Sequence, residues 1–240
     1  MEAENLKKYI ESMELPDSAM AGAERKSFVR SASSGVINKG CLAAFDQSVS
    51  GQLRQDMLFS MLLSQMVADK LHDRSTSPDQ WRVLFLDTLL KIGWTVLGET
   101  FSEFAEGDRT FRMDKASIDF IEDGGAAEGA VQSLKRGADA LRQHWGSRAG
   151  ELFTSSCTYR NSGNFQLMAV ASDGAVVLGN FIFQGQESHP DFFTAEWNSR
   201  NTKLSRYRFE MRLDDSIYDR IRELVVRKLE DRINSDIADI

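Results

Sequence analysis

An Asp-Gly pair between two long apolar runs is the feature that most constrains how this chain can fold. The stretch FQLMAVASDGAVVLGNFIF places Asp173 and Gly174 between those runs. Asp-Gly is strongly preferred in two-residue hairpin loops, because a type I′ turn needs positive φ at both central positions. The sequence therefore predicts a β-hairpin with a type I′ turn, in which Ala171 faces Val176.

Both faces of this predicted hairpin are largely apolar, which is typical of strands that are covered on both sides. A turn at 161–163 precedes it, and residues 152–159 are predicted to form its antiparallel neighbour. The later stretch SRYRFEMRL behaves differently, because charged residues alternate strictly with Tyr207, Phe209, Met211 and Leu213. That pattern indicates a strand with one buried and one solvated face.

Helical periodicity dominates the rest of the chain. We predict helices over residues 51–72, 78–104 and 125–146, the second of which is apolar almost all round. Residues 110–113 are ambiguous, and the alternation of Phe111 with Met113 favours a short strand. After the sheet region, Ile221, Val225 and Leu229 recur every four residues, which predicts a closing helix with one buried face.

This order of elements predicts an α+β fold, because strands and helices are segregated along the chain and do not alternate. The expected architecture is an antiparallel sheet of about four or five strands with helices packed on both faces. We expect residues 1–240 to form a single domain. Within it, residues 1–150 are mainly helical, residues 151–213 form the antiparallel sheet, and residues 214–240 form the closing amphipathic helix.

Charge and hydropathy exclude some classes of function. The net charge of -7 argues against a nucleic-acid partner, which needs clustered positive charge. The longest apolar run is too short to span a bilayer, and the N-terminus has no Sec-type signal pattern. We therefore expect synthesis in the cytoplasm, while export by a route that needs no Sec signal peptide stays open. Two cysteines do not make a disulfide framework.

The sequence contains no recognisable catalytic or metal-binding motif. Its three histidines lie far apart and lack partners at metal-ligand spacing, so no metal, no resident cofactor and no catalytic residue is predicted. The long polar segment 184–203 is the main loop, and long loops in compact domains are often functional or mobile. Its candidate residues are Glu187, His189, Asp191, Phe192, Phe193 and Trp197.

Cys157 is the one cysteine for which we consider a functional role. Strand alternation places its side chain on the same face as Phe153 and Tyr159, which favours a small buried core residue. A nucleophilic cysteine needs a base or a helix N-terminus to lower its pKa, and nothing adjacent in the sequence supplies one. A spatial neighbour such as His144 or His189 stays open as the base.

The layout of apolar helices, an antiparallel sheet and a closing amphipathic helix resembles small bacterial virulence and insecticidal proteins of the Erwinia virulence factor type. The residues that could carry the resemblance are Cys157 in SSCTYRNSG and the apolar stretch VLFLDTLLKIGWTV. The resemblance implies an α/β fold without an ordinary active site. It also implies a fatty acyl group attached as a thioester to a cysteine in the interior, for which Cys157 is the candidate.

Three functions are open at this point. The first is a non-enzymatic virulence or toxin-like protein that engages membranes, lipids or fatty acyl chains. The second is an interaction or scaffold protein that forms homo-oligomers through its last helix. The third is an enzyme whose site is assembled from distant residues around Cys157 or the 184–203 loop.

Overall fold

The computed structural model describes residues 2–17, 35–104 and 109–240. The helices in these ranges are α1 Glu2–Ser12, α2 Gly51–Leu71, α3 Pro78–Lys91, α4 Met113–Glu122, α5 Glu128–Gln143, α6 Arg148–Cys157, α7 Asp215–Tyr218, α8 Arg222–Leu229 and α9 Arg232–Asp236. The strands are β1 Val36–Asn38, β2 Cys41–Phe45, β3 Trp94–Glu103, β4 Thr110–Arg112, β5 Thr158–Tyr159, β6 Ser162–Val170, β7 Val176–Gln184, β8 Glu196–Asn198, β9 Lys203–Leu213 and β10 Ile237–Asp239.

One large mixed sheet forms the centre of the fold. Its strand order is β10-β1-β2-β6-β7-β9-β3, and β5 pairs with the start of β6. The β2–β6 pair is parallel, whereas the other neighbours in the sheet are antiparallel. Strands β4 and β8 form a separate two-stranded sheet. The α+β class is thus confirmed, but the prediction of four or five antiparallel strands was wrong, since this sheet has eight strands and is mixed.

Helices cover both faces of the large sheet, as predicted for a hairpin that is apolar on both sides. On one face, the apolar side chains of β6, β7 and β9 pack against α1, α2, α3 and α8; we call this the α2 layer. On the other face, β6 and β7 pack against α4, α5 and α6; we call this the α6 layer. The molecule is therefore a sheet between two helical layers, each with its own core.

The β6–β7 hairpin exists, but its turn is not the predicted type I′. Gly174 has φ of +79°, whereas Asp173 does not have positive φ. The amide of Gly174 donates to the carbonyl of Ala171, and Ala171 N donates to Ala175 O, so the loop has three residues. This is the turn that ends in one left-handed residue. The extra loop residue shifts the register by one position, and Val170 pairs with Val176.

The predicted helix over 78–104 is in fact a helix followed by a strand. Helix α3 ends at Lys91, and Gly93 follows with φ of +105°, a conformation that terminates helices. Strand β3 then begins at Trp94 and pairs with β9. The apolar residues that seemed to cover every side of one long helix therefore belong to two elements with different periods.

The predicted strand over 152–159 is mostly helical. Helix α6 runs from Arg148 to Cys157, and only Thr158 and Tyr159 form a strand. Phe153 and Cys157 do share a buried face, but they do so because they lie four residues apart on a helix. Tyr159, which strand alternation places on that face, is exposed.

The C-terminal region consists of several short elements and does not form the predicted single helix. It consists of α7, α8 and α9 followed by β10, which adds to the sheet edge beside β1. Ile221, Val225 and Leu229 are buried in the α2 layer, as their spacing predicts. The apolar face of this region is thus used within the chain. Helix α5 matches the predicted 125–146 helix with shorter ends, and Met113 begins α4 rather than extending β4.

Candidate functional site

Cys157 lies at the C-terminal end of α6, where its thiol is completely enclosed. Its side chain is 1% exposed, and its Sγ donates to the carbonyl oxygen of Gly40 at 3.6 Å. Burial raises the pKa of the Cys157 thiol far above its ordinary value, and the nearby charge of Arg74 offsets this only in part. The pKa of Cys41, the second buried cysteine, is raised for the same reason. Both thiols are therefore held in the neutral form.

Neither histidine that stayed open as a base contacts Cys157. His144 caps the C-terminus of α5, where its Nδ1 lies 2.9 Å from the carbonyl oxygen of Ala140. His189 packs edge-on against Trp197, with ring centroids 4.5 Å apart. A cysteine nucleophile requires a thiolate and access for its substrate, and the environment of Cys157 provides neither.

The 184–203 segment is divided between an exposed polar side and a buried aromatic side. Glu187 and Asp191 are exposed, and His189 is half-buried. Phe192, Phe193 and Trp197 are buried in the α6 layer. Their rings belong to an aromatic cluster that also includes Trp145, Phe153, Phe165, Phe181 and Phe183. The aromatic residues of the loop therefore anchor it to the core.

A buried ion-pair network surrounds Arg74, in the loop between α2 and α3. Its Nε donates to Oδ1 of Asp69 at 2.8 Å, and its Nη2 donates to Oε1 of Gln65 at 2.7 Å. Trp81 Nε1 donates to the same Asp69 oxygen at 2.7 Å, and Lys39 Nζ lies 3.2 Å from Oδ2. Burial alone would raise the pKa of Asp69, but these cations and donors hold it below its ordinary value.

Arg74 also places an unused donor beside Cys157. Its Nη1 is buried and has no hydrogen-bond partner. This nitrogen lies so close to Gly40 that a Cβ at that position would overlap it, and Cys157 Sγ would lie 3.4 Å from the same Cβ. A glycine at position 40 is thus what allows the guanidinium and the thiol to share this part of the interior.

A line of polar side chains crosses the face of the sheet that packs against the α2 layer. Cα partners on adjacent strands point to the same face, so the pairing places Asn38, Cys41, Gln166, Asn180 and Tyr207 in one row. Asn164 lies two residues before Gln166 on β6 and faces the same way. We call these six residues the interior polar row. The adjacent row of the same face is apolar: Ala43, Met168, Leu178 and Phe209.

The two ends of the interior polar row make some contacts, although Oδ1 of Asn38 is buried without a partner, and the three carboxamides at its centre have no partner. At one end, Asn38 Nδ2 donates to Leu58 O at 2.8 Å, and Gln65 Nε2 donates to Asn38 O at 3.0 Å. At the other end, the guanidinium of Arg82 lies 3.9 Å from the ring centroid of Tyr207.

In the centre, the carboxamides of Asn164, Gln166 and Asn180 are at most 1% exposed. Both the nitrogen and the oxygen of each lack a hydrogen-bond partner. Burying such a group unpaired costs about 1–3 kcal/mol.

Sequence reasoning missed the residues of this row and the Arg74 network. A signal was present, because Asn164, Gln166 and Asn180 are polar residues inside strands that are otherwise apolar on both faces. In strands that are covered on both sides, such residues need buried partners. The Arg74 network carries no comparable signal, since it is assembled from β1–β2, α2 and the loop that follows α2.

Other kinds of site are not found in the described ranges. Residues 2–17, 35–104 and 109–240 contain no group of three or more His, Cys, Asp or Glu side chains that could hold a metal ion. No helix within these ranges is long and apolar enough to cross a membrane.

Comparison with known proteins gives a fold-level likeness at most. No family model matches the sequence, and no curated protein matches it. The solved structure of the Evf virulence factor is similar with a TM-score of 0.40 and 10% identity, covering 100% of this chain and 92% of that one. A delta-endotoxin is similar with a TM-score of 0.46 and 10% identity, covering 82% of this chain and 91% of that one. The resemblance expected from the layout is therefore found, as a weak structural similarity to a virulence factor and a toxin.

Proposed function

We propose that the protein is a non-enzymatic, virulence or toxin-like protein that carries a fatty acyl group as a thioester on Cys157. The observation that supports this is the pairing of an enclosed thiol with an unused donor beside the same glycine. The Sγ of Cys157 contacts Gly40, and Nη1 of Arg74 lies against Gly40 without a partner. A thioester carbonyl formed at this sulfur would bring an acceptor to that donor.

The surroundings of Cys157 suit an apolar chain better than a reacting substrate. Cys157 packs among the apolar side chains of the α6 layer, including those of Phe153, Phe165 and Phe183. An acyl chain that lies among such groups gains roughly 0.8 kcal/mol for each buried CH₂. Helices already cover both faces of the sheet. The acyl chain would therefore insert among the side chains of the α6 layer and would not replace that layer as the cover of the sheet.

The two alternatives receive less support from the geometry. An enzyme around Cys157 would need an activated thiolate, but burial raises the pKa of this thiol and neither His144 nor His189 contacts it. A scaffold that self-associates through the last helix would need a free apolar stripe. In this fold, the apolar stripe faces the core, where Val225 and Leu229 are buried.

The test is the intact mass of protein purified from its native host. The proposal predicts a fraction that is heavier by one fatty acyl group, and hydroxylamine, which cleaves thioesters, should remove the increment. Cys157→Ser should lack the increment. Cys41→Ser is the matched control, because Cys41 is equally buried and its pKa is raised in the same way.

An unmodified mass in native-host protein would refute the acyl proposal. An increment that persists in Cys157→Ser and disappears in Cys41→Ser would place the attachment on the wrong cysteine and would also refute it. Leakage of dye from liposomes, compared between acylated and hydroxylamine-treated protein, then tests whether the acyl group mediates engagement of membranes.

A further inference from the structure

We propose that the outer edge of strand β3 is a dimer interface, at which two copies of this chain pair their β3 strands antiparallel and join their large sheets into one. Strand β3 is the last strand of the large sheet, and within the described ranges no strand pairs with its outer edge. The backbone N–H and C=O groups on that side are therefore available to another strand. This interface is separate from Cys157 and does not depend on the acyl proposal.

Exposed apolar side chains are concentrated at this edge of the molecule. Of the eight large hydrophobic side chains that are exposed in the described part of the chain, five lie between residues 71 and 101: Leu71, Val83, Leu90, Leu97 and Phe101. Leu97 and Phe101 belong to β3 itself, and they are 65% and 52% exposed. Apolar side chains that gather on one surface mark an interaction site, whereas single ones need no explanation.

The larger part of β3 is regular enough to pair with another strand. Proteins commonly protect edge strands with bulges, which twist the edge away from a partner. Strand β3 has one irregularity, between Val96 and Gly98, and residues 98–103 pair regularly with β9. The bulge therefore protects only the first part of β3.

Charge decides the register of such a pair. In a two-fold symmetric antiparallel pair, one residue of β3 faces the same residue of the second copy. Centring the pair on Glu99 would place two glutamates opposite each other, and centring it on Phe101 would place Glu99 opposite Glu103. Like charges directly opposite each other destabilise a sheet. Centring on Gly98 would bring the bulge into the pairing, and centring on Ser102 would leave only three residues of β3 paired.

The register centred on Thr100 has none of these faults. It pairs residues 98–102 of the two copies, with Thr100 opposite Thr100 and Glu99 opposite Phe101. Opposed threonines are a favourable cross-strand pair. The two Phe101 rings become diagonal neighbours on one face, at a separation that aromatic side chains bridge. A second copy thus fits this edge with the same residues on both sides and without facing charges of the same sign.

Helix α3 supplies the rest of the contact. A stable dimer buries about 1,200–2,000 Å² in total, whereas five paired residues span only about 17 Å of strand. The two-fold axis keeps α3 of both copies on the same face of the joined sheet, on either side of the seam. Val83 and Leu90, seven residues apart, form an exposed apolar stripe on α3. This stripe borders the side on which Arg82 lies 3.9 Å from Glu99 of β3.

The first measurement is light scattering coupled to size-exclusion chromatography, on protein whose intact mass matches its sequence. We expect the molar mass to rise with concentration from one chain toward two. Phe101→Glu should remain a monomer, because the new carboxylate faces Glu99 of the second copy. Tyr159→Glu is the matched control, since Tyr159 is similarly exposed but lies on β5, and it should dimerise as the wild type does. Circular dichroism establishes that both variants are folded.

The second measurement tests the register by disulfide formation and does not depend on Phe101, whose ring also packs on Tyr207. Oxidation should link two copies of Thr100→Cys, because opposed residues of an antiparallel pair have Cα atoms about 4.5–5.5 Å apart, within the range of a disulfide. Both native cysteines are buried, so the added cysteine is the accessible one. Thr95→Cys is the control, since Thr95 is exposed on β3 before the bulge and should form no link.

Three results would overturn the proposal. The first is a wild type with the mass of one chain at every concentration. The second is a folded Phe101→Glu variant that dimerises as readily as Tyr159→Glu. The third is Thr100→Cys that links no faster than Thr95→Cys. All three are measured on unmodified protein, so failure here is distinguishable from failure of the acyl proposal.

Discussion

The guanidinium of Arg74 occupies the space in which a side chain on Gly40 would lie. This contact brings together the β1–β2 turn, the loop after α2 and the end of α6, since Gly40 also accepts the hydrogen bond of Cys157. The two helical layers, which the sheet otherwise separates, meet at this glycine.

Gly40→Ala should therefore destabilise the protein, because the new methyl group would displace Arg74 from its partners. Overpacking of this kind costs typically about 1–3 kcal/mol, measured by denaturant unfolding. Gly51→Ala is the matched control, since a Cβ there meets no atom within 4 Å and the residue begins a helix. It should be neutral or stabilising. Equal stability of the two variants would contradict the close contact at Gly40.

Asp69→Asn should destabilise the fold and change its pH dependence. The substitution leaves Arg74 buried with its charge uncompensated, at a cost of roughly 2–4 kcal/mol, somewhat below that of a fully buried pair. The pKa of Asp69 is lower in the folded state than in the unfolded state. Its contribution is therefore complete above the unfolded pKa and is lost as the pH falls through the folded pKa.

The stability of the wild type should thus decrease more steeply on acidification than that of Asp69→Asn, and the difference between the two should narrow toward low pH. Denaturant unfolding at a series of pH values measures this. Asp87→Asn serves as the control, because Asp87 pairs with Lys91 on the surface, where an ion pair contributes little. A constant difference across the acid range would exclude the proposed role of Asp69.

Gly174→Val should cost about 1–3 kcal/mol, because a β-branched residue is strained at a φ of +79°. Gly174→Asn should cost less, since asparagine tolerates the left-handed conformation. Thermal unfolding of both variants checks this order. An unchanged melting temperature in Gly174→Val would show that the turn does not hold Gly174 at positive φ.

Leu229→Asp should prevent stable folding, because it places an unpaired charge in the α2 layer, where Leu229 is fully buried. Val226→Asp on the same helix is the control, since Val226 is 37% exposed, and it should fold normally. Circular dichroism and size-exclusion chromatography measure the result. If Leu229→Asp stays folded and loses only self-association, the helix faces a partner and the scaffold hypothesis gains.

The sequence correctly predicted the positions whose hydrophobic pattern lies within a single element. The alternation in β9 and the four-residue spacing in the last helices place Phe209 and Leu229 correctly in the core. The errors at 78–104 and 152–159 arose where neighbouring elements are both apolar, since periodicity over a short buried run does not separate helix from strand. That residues 1–240 form one domain stays a prediction, and a single cooperative unfolding transition is expected from it.

The candidate site was less predictable, because its residues meet only through long-range pairing. Cys157 was identified from the sequence, but its neighbours Gly40 and Arg74 were not. Arg74 reaches Gly40 across the sheet end, and Gln166 lies beside Asn180 only in a register that the predicted turn had displaced by one residue.

The enclosure of the Cys157 thiol underlies both the acyl proposal and the argument against an enzyme, and its most direct test is the rate at which a water-soluble alkylating reagent modifies Cys157. The protein should have an intact mass that matches its sequence, and Cys41→Ser should be used so that one thiol remains. Because the thiol is enclosed and its pKa is raised, we predict that alkylation proceeds only as fast as the protein unfolds, and that it accelerates with denaturant. Rapid alkylation of the folded protein, with a pH dependence that reveals a thiolate near neutrality, would contradict the account and favour an enzyme.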